Sequence, residues 1–294
     1  MDSLRIGVMS DVHTEMRENT TRTSWCHNYP LDLGPSLVRL REWKPHALVL
    51  AGDIGRVSAN NTDSAVSVIY ARQAGDYLGC PVVLVPGNDE YYGQDFDEAR
   101  TAMLASSWDR VRVLDRGEAI LDLDGTPVRF LGATMWIDYA ASGDVAAAMS
   151  AAASFMNDQR LIKRGGKPFT PHDALAEHSL SRAWLRTMLR EPHRGPTLVV
   201  THHVPHTGFR NPHYPLDHLT GAFTSNMDTE LEASVSVGVA AWIYGHHHWC
   251  GDMVLRGMRM ASFQVGYQRE STGWTGPGML DIQRSRNEVD DTGP

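Results

Sequence analysis

The stretch His46–Gly55 reads HALVLAGDIG. The five residues from His46 to Leu50 form a short apolar run that Ala51-Gly52 ends abruptly, the pattern of a buried strand stopping in a turn. Asp53 then stands at the carboxyl end of that strand, where α/β sheets gather their ligands. Alone, Gly-Asp is ordinary turn chemistry. Its weight comes from the rest of the chain, in which four other strand ends carry residues of the same kind.

Upstream, Leu4–Met9 (LRIGVM) is an apolar strand followed by Asp11 and His13. Alternate residues of an extended segment face the same way, so these two side chains are expected to point at one object. Downstream, Pro81–Pro86 (PVVLVP) runs into Gly87-Asn88-Asp89-Glu90, and Thr197–Val200 runs into Thr201-His202-His203. Val239–Tyr244 is closed by Gly245-His246-His247-His248. Alternation puts His246 and His248 on one face with His247 pointing away, and it separates His202 from His203. Carboxylate, amide and imidazole donors together suit Mn, Fe or Zn.

Helical patterns separate these strands: Pro35–Trp43, Thr62–Leu78 with Val66, Ile69, Tyr70, Ala74 and Tyr77 on one face, and Asp95–Ala105 with Phe96, Ala99 and Met103 inward. Their recurrence predicts βαβ units and a sheet with parallel strands. The middle of the chain changes character. Val111–Leu114, Ala119–Leu123 and Val128–Trp136 read as strands, with Asp124-Gly125 as a hairpin turn. An Ala-rich helix from Asp144 to Asn157 leads to a basic loop, Arg160, Lys163, Arg164 and Lys167 around Gly165-Gly166, that reads as a phosphate clamp, a lid or a solvated connection. Pro171–Arg190 is a helix with Leu180, Trp184 and Met188 at spacing four. Pro205–Phe223 is irregular, and short strands follow at Met253–Leu255, Met258–Phe263 and Met279–Ile282. Between Thr14 and Leu33 a polar loop places Trp25, His27 and Tyr29 where they could edge a pocket. No linker divides the chain, so residues 1–283 are expected to form a single domain and 284–294 a polar, flexible tail.

Composition removes several alternatives. A net charge of −8 supplies no basic surface for a nucleic-acid polymer, although bound cations can still bring a phosphate in. Three scattered cysteines, Cys26, Cys80 and Cys250, make no disulfide framework and fit a reducing compartment. The N-terminus enters a strand without an apolar leader, and the best membrane candidate, Val145–Phe155, is far too short to span. A cytoplasmic location without a membrane partner is the expectation.

Five strands ending in DVH, GD, GND, THH and GHHH resemble the calcineurin-like metallophosphoesterase family. Its pattern is D-x-H, G-D, G-N-H-[ED], a His-bearing strand end, and G-H-x-H. The resemblance runs from Leu4 to about Phe263, and the phrases GNDEYYG, FLGATMW, MNDQRLI and THHVP look like a bacterial branch of the family. It implies two mixed β-sheets packed as a sandwich flanked by helices, with a dinuclear metal site at one edge. Carried over motif by motif, Asp11, His13, Asp53 and His248 would hold one ion, and Asn88, His202, His246 and the shared Asp53 the other. Two ions about 3.5–4 Å apart lower the pKa of a shared water towards roughly 7, giving a bridging hydroxide that attacks phosphorus in line.

Asp89 departs from the pattern, standing where the family has the His that assists the leaving group. An Asp beside two cations carries its charge at neutral pH and is a poor acid. The expected activity is therefore hydrolysis of phosphoric esters, with Asn88, Asp89 and His202 facing the reacting group and a small-molecule or nucleotide diester as substrate. The competing readings are a phosphomonoesterase and a catalytically impaired or engineered metal-binding form of the fold. A nuclease would need a basic groove.

Overall fold

Alternation within the short apolar strands sets the layers. β1 (Ser3–Met9) turns Leu4, Ile6 and Val8 to one face, and β2 (Ala47–Leu50) turns Ala47 and Val49 the same way while Leu48 and Leu50 face opposite. The structure is a computed structural model and describes residues 3–16, 34–56, 66–106, 108–215 and 217–284. Trp25, His27 and Tyr29 of the 14–33 loop, the start of the expected 62–78 helix and the tail beyond residue 284 lie outside the described residues.

β1 and β2 continue into β3 (Val82–Leu84) and β4 (Val111–Val113) as four parallel strands, and β13 (Gly278–Gln283) joins β1 antiparallel at the edge. Their connections, α1 (Gly34–Trp43), α2 (Val66–Leu78) and α3 (Phe96–Ala105), cover the outer face. The second sheet has the order β11 (Gly251–Leu255), β12 (Met258–Ser262), β10 (Val239–Ile243), β9 (Thr197–Thr201), β6 (Thr126–Ala133), β5 (Gly117–Leu123). Here β6, β9, β10 and β12 run parallel. Val128, Phe130, Leu198, Val200, Ala241 and Ile243 meet the inner face of the first sheet, and α6 (Pro171–Met188) and α7 (Asp228–Ser236) close the other side over Trp242 and Met260. The expected sandwich of two mixed sheets flanked by helices is therefore the architecture. Each fully buried aliphatic side chain in it contributes about 1.5–3 kcal/mol, which holds the strand ends firmly enough to crowd charges there.

Several local expectations hold. Asp124 and Gly125 have φ of 52° and 77°, the two left-handed residues that a tight hairpin requires. The helices expected over 95–105 and 144–157 form as α3 and α4 (Val145–Phe155), and the structure adds that the Asp95 and Asp144 side chains cap them. Others do not hold. The buried face of α2 is Ser67, Val68, Tyr70, Ala71, Ala74 and Gly75, because small residues let the helix lie close to the sheet; Val66, Ile69 and Tyr77 are only half-buried. In α6, Leu180 is 54% exposed, while Glu177 and His178 are buried because Arg116, Arg164 and the Met135 carbonyl satisfy them. Trp136 lies beyond the end of β6, with φ of 23°. The basic loop is a small hairpin, Lys163–Arg164 against Lys167–Pro168, whose Arg164 is spent on Asp97 and Glu177. Among the described residues, no helix is long and apolar enough to cross a membrane.

Candidate metal centre

Because β1, β2 and β3 run parallel in one sheet and β9 and β10 in the other, all five strand-end motifs meet at one edge of the sandwich. The two sheets are joined there by the Ser10 N–H to the Phe263 carbonyl (3.0 Å) and by the His246 N–H to Asp11 Oδ1 (2.9 Å), and further backbone bonds tie the strand ends within each sheet. Asp11 N–H donates to the Gly52 carbonyl (2.9 Å), His13 N–H to that of Asp53 (3.0 Å), and Gly245 N–H to that of His202 (2.9 Å). The approach is close enough to require glycine at two positions. A Cβ on Gly52, itself at φ +87°, would meet His202 Nδ1 at 2.3 Å, and a Cβ on Gly87 would meet Asp53 Oδ1 at 2.1 Å.

Ligand-type atoms fall into two buried groups: Asp11, His13 and His248, and Asp53, His202 and His246. In the first, His13 Nε2 lies 3.0 Å from His248 Nε2, which is 3.6 Å from Asp11 Oδ1. In the second, His202 Nε2 is 3.0 Å from Asn88 Oδ1, 3.2 Å from His246 Nδ1 and 3.4 Å from Asp53 Oδ2. Asp53 Oδ2 also stands 4.0 Å from His13 Nε2, so a single carboxylate oxygen faces both groups. The other oxygen is taken by the Asp89 N–H at 2.9 Å.

The backbone does not present these residues as an extended strand would. Asp11, His13, Asp53, His246 and His248 have φ of 51°, 46°, 52°, 78° and 48°, all in the left-handed region. His246 and His248 accordingly do not share a face; each joins a different group. His247 does point away. Its Nδ1 accepts the Asn211 N–H (3.1 Å), which leaves the proton on Nε2 to donate to Thr224 Oγ1 (3.0 Å). His203 turns to the Thr134 carbonyl (3.1 Å), and its ring packs 4.2 Å from that of His246.

Residues that sequence reasoning missed fix the imidazole and amide orientations. His202 Nδ1 donates to the Ala51 carbonyl (2.9 Å) and His248 Nδ1 to Glu270 Oε2 (2.5 Å), so each ring turns Nε2 into the site, where a bound metal ion in place of a proton would find a lone pair. Asn88 donates its amide nitrogen to Tyr92 Oη (2.9 Å) and Asp158 Oδ1 (3.1 Å), aiming Oδ1 at His202. Asp158 belongs to the MNDQRLI phrase, so that phrase was the available signal. Glu90 ties the two loops together, with both oxygens filled by the N–H groups of Gly87, Asp53, Ile54 and Gly55. Burial and the Asp53 charge push Glu90 up to about 7 against the pull of those donors. Asp89 Oδ2 accepts two bonds from Arg56, at 3.1 and 2.9 Å. The same oxygen lies 3.2 Å from His13 Nδ1, off the ideal hydrogen-bond direction, so that contact is mainly electrostatic. His13, Asp53 and Asp89 form a third close group.

Ligand-type atom therefore faces ligand-type atom across the site. Two nitrogens each about 2.1 Å from one cation stand about 3 Å apart when they subtend roughly a right angle, the separation seen between His13 and His248. Asp11 Oδ2 and His246 Nε2 are buried without a hydrogen-bond partner among the described residues. Burial opposes a charged His202, yet the Asp53 and Asp11 carboxylates hold it up at about 10. Burial among other imidazoles holds His246 well below the usual range, so the ring stays neutral and one of its nitrogens keeps a lone pair. The donor set fits divalent metal ions.

A family model for the calcineurin-like phosphoesterases matches residues 4–250, which include all five motifs. An uncharacterized protein of Acanthamoeba polyphaga mimivirus, L509, is 23% identical over 257 residues, covering 81% of this chain and 84% of that one. Phosphopantetheinyl hydrolase from Mycobacterium tuberculosis has a similar fold, with a TM-score of 0.61 and 18% identity across 99% of both chains. A dimetal phosphatase from Danio rerio is similar at a TM-score of 0.52 and 16% identity, over 97% of this chain and 100% of that one. The chain belongs to the calcineurin-like phosphoesterase family.

Proposed function

We propose that this chain is a dinuclear metal-dependent phosphodiesterase for a small molecule or nucleotide. The observation that carries the reading is the position of Asp53 Oδ2, 3.4 Å from His202 Nε2 and 4.0 Å from His13 Nε2, between two groups of buried ligand-type atoms. Asp11, His13 and His248 would hold one ion, Asn88, His202 and His246 the other, and Asp53 both; the mixed donors suit Mn, Fe or Zn. Such ions supply Lewis acidity and a water acidified towards neutrality.

The protein's own part is orientation and charge. Glu270, the Ala51 carbonyl and Asp158 preset His248, His202 and Asn88, so no side chain has to reorganise when substrate arrives. Asp89 Oδ2 accepts two hydrogen bonds from Arg56, so the residue stands as an acceptor where the family pattern has a proton-donating His. Leaving groups must then depart unassisted, which favours activated diesters over alkyl monoesters, whose second charge Asp89 repels and whose alkoxide leaving group needs a proton more. Free Cys80 and Cys250 fit a reducing, cytoplasmic setting.

Elemental analysis combined with turnover of bis-p-nitrophenyl phosphate and p-nitrophenyl phosphate under Mn, Fe and Zn tests this reading. Two bound ions with faster diester turnover are expected. Two ions without turnover across a phosphoester panel would assign a metal-binding scaffold instead, a reading that the Asp at position 89 favours.

A further inference from the structure

Beside the metal-ligand groups lies a cavity of about 370 Å³, within the size range of small-ligand sites. His246, His247, His248, Asn88 and Asp53 form one end of it. The far wall comes from two segments that the ligand motifs do not include: the C-terminal end of α4 with Met156, and the irregular 205–223 segment. His247 pins the second segment to the centre through Asn211 and Thr224, and the Phe223 ring lies 5.3 Å from that of His246 and 5.7 Å from that of His247. The apolar wall therefore begins at the metal ligands themselves. At the cavity rim Phe155 is 69% exposed and Tyr214 58%, two large apolar surfaces that folding leaves uncovered.

One cation sits in this wall. Arg210 is half-buried, and its hydrogen bond to the Thr207 carbonyl, from Nη1 at 3.3 Å, spends one of the guanidinium's five donors. Its Nε is buried without a partner, and among the described residues no carboxylate lies within 4 Å of the group. A half-buried guanidinium with a buried, unsatisfied N–H is costly unless an acceptor arrives. Asp217 and Glu270 also line the cavity, so a single added negative charge suits it better than a doubly charged group.

We propose that this cavity is the subsite for one organic arm of the substrate, and that the arm has an aromatic or alkyl body and a carboxylate that Arg210 binds. This deepens the phosphodiesterase reading and rests on it for what occupies the metal end. The apolar wall takes the body by burial, and the guanidinium takes both carboxylate oxygens in its fork.

Calorimetric binding of two non-hydrolysable probes, phenyl methylphosphonate and 4-carboxyphenyl methylphosphonate, tests it on the Mn2+-supplied full chain. The carboxylated probe is expected to bind the unmodified protein about 10-fold tighter or more, the return of a charge-assisted pair. In Arg210→Gln that preference should vanish while phenyl methylphosphonate binds as before. Equal binding of the two probes to the unmodified protein overturns the proposal, as does a preference that survives the substitution. If Arg210→Gln weakens both probes, Arg210→Lys decides: a retained preference supports the assignment and a lost one overturns it. Turnover of bis-p-nitrophenyl phosphate is measured alongside. Turnover without a probe preference sinks the subsite alone, whereas a preference without turnover sinks the phosphodiesterase reading and leaves the subsite standing.

Discussion

Asp89→Asn removes one charge and almost no volume, so it isolates what the carboxylate does for its neighbours. Asp89 is 2% exposed, its N–H holds Asp53 Oδ1 at 2.9 Å, and that backbone bond survives the change. What is lost is the charge on Oδ2, which accepts from Arg56 at 3.1 and 2.9 Å and faces His13 Nδ1 at 3.2 Å. Burial opposes protonation of His13, but Asp89 and Glu15 hold its pKa well above the usual range, so Asp89 is a main source of the basicity of that ring. Outer partners of metal-bound imidazoles are worth roughly 10–100-fold in metal affinity. The ion beside His13, Asp11 and His248 should therefore bind about 10–100-fold more weakly. The ion beside His202, Asn88 and His246, whose imidazole His202 is oriented by the Ala51 carbonyl, should change far less. Competition against a fluorescent chelator, run on both proteins after metal stripping, resolves two affinities. If Asp89→Asn leaves both unchanged, Asp89 does not support His13, and its role must lie with Arg56 alone. If both fall equally, the carboxylate acts through the whole field of the site.

Three further outcomes are expected. Asp53→Ala should lose both tightly held ions whereas Asn88→Ala loses chiefly one; elemental analysis showing two ions retained by the Asp53 variant would remove the bridge. Gly87→Ala places a Cβ 2.1 Å from Asp53 Oδ1, and since misplacing a reacting group by about 1 Å can cost roughly 10²-fold, activity should fall at least that far while circular dichroism stays native. His247 is held at about 3 by burial first and then by the neighbouring His248 and Arg210 charges. With the folded value below the unfolded one near 6.5, its contribution to stability is complete above about pH 6.5 and drains away as pH falls towards 3, by up to about 1.4 kcal/mol per unit. Denaturant titrations from pH 4 to 7 should show a slope shallower by about one proton in His247→Gln, and identical slopes would refute it.

The meeting of the candidate ligands was legible because chemistry-bearing residues at the ends of apolar runs are independent of the details of packing. Once β1, β2, β3, β9 and β10 run parallel, DVH, GD, GND, THH and GHHH have to meet. The supporting shell was not legible, because its contacts are distant in sequence: Glu270 lies 22 residues from His248, and Asp158 lies 70 from Asn88. Periodicity reports faces and cannot pair such residues. It also misjudged α2 and α6, where glycine, serine, glutamate and histidine are buried by specific partners that a hydrophobic pattern leaves out.

The strand-end geometry shows why alternation placed His247 correctly from a wrong premise. An extended GHHH segment would have put His246 and His248 side by side. Instead both have positive φ, and each joins a different group of ligands. Left-handed backbone costs about 1–2 kcal/mol for most side chains, but Asp and His tolerate it several-fold more often than others. The residues with metal-binding donors are thus also residues that can occupy a reversing backbone at a strand end. Five of them do so here, each at a point where one sheet passes hydrogen bonds to a neighbouring loop or to the other sheet, such as Asp11 N–H to Gly52 and His246 N–H to Asp11 Oδ1 (2.9 Å). The strain and the ligand set are therefore held by the same contacts. A substitution that relaxed one of these turns would misplace a donor even if it left every donor atom in the chain.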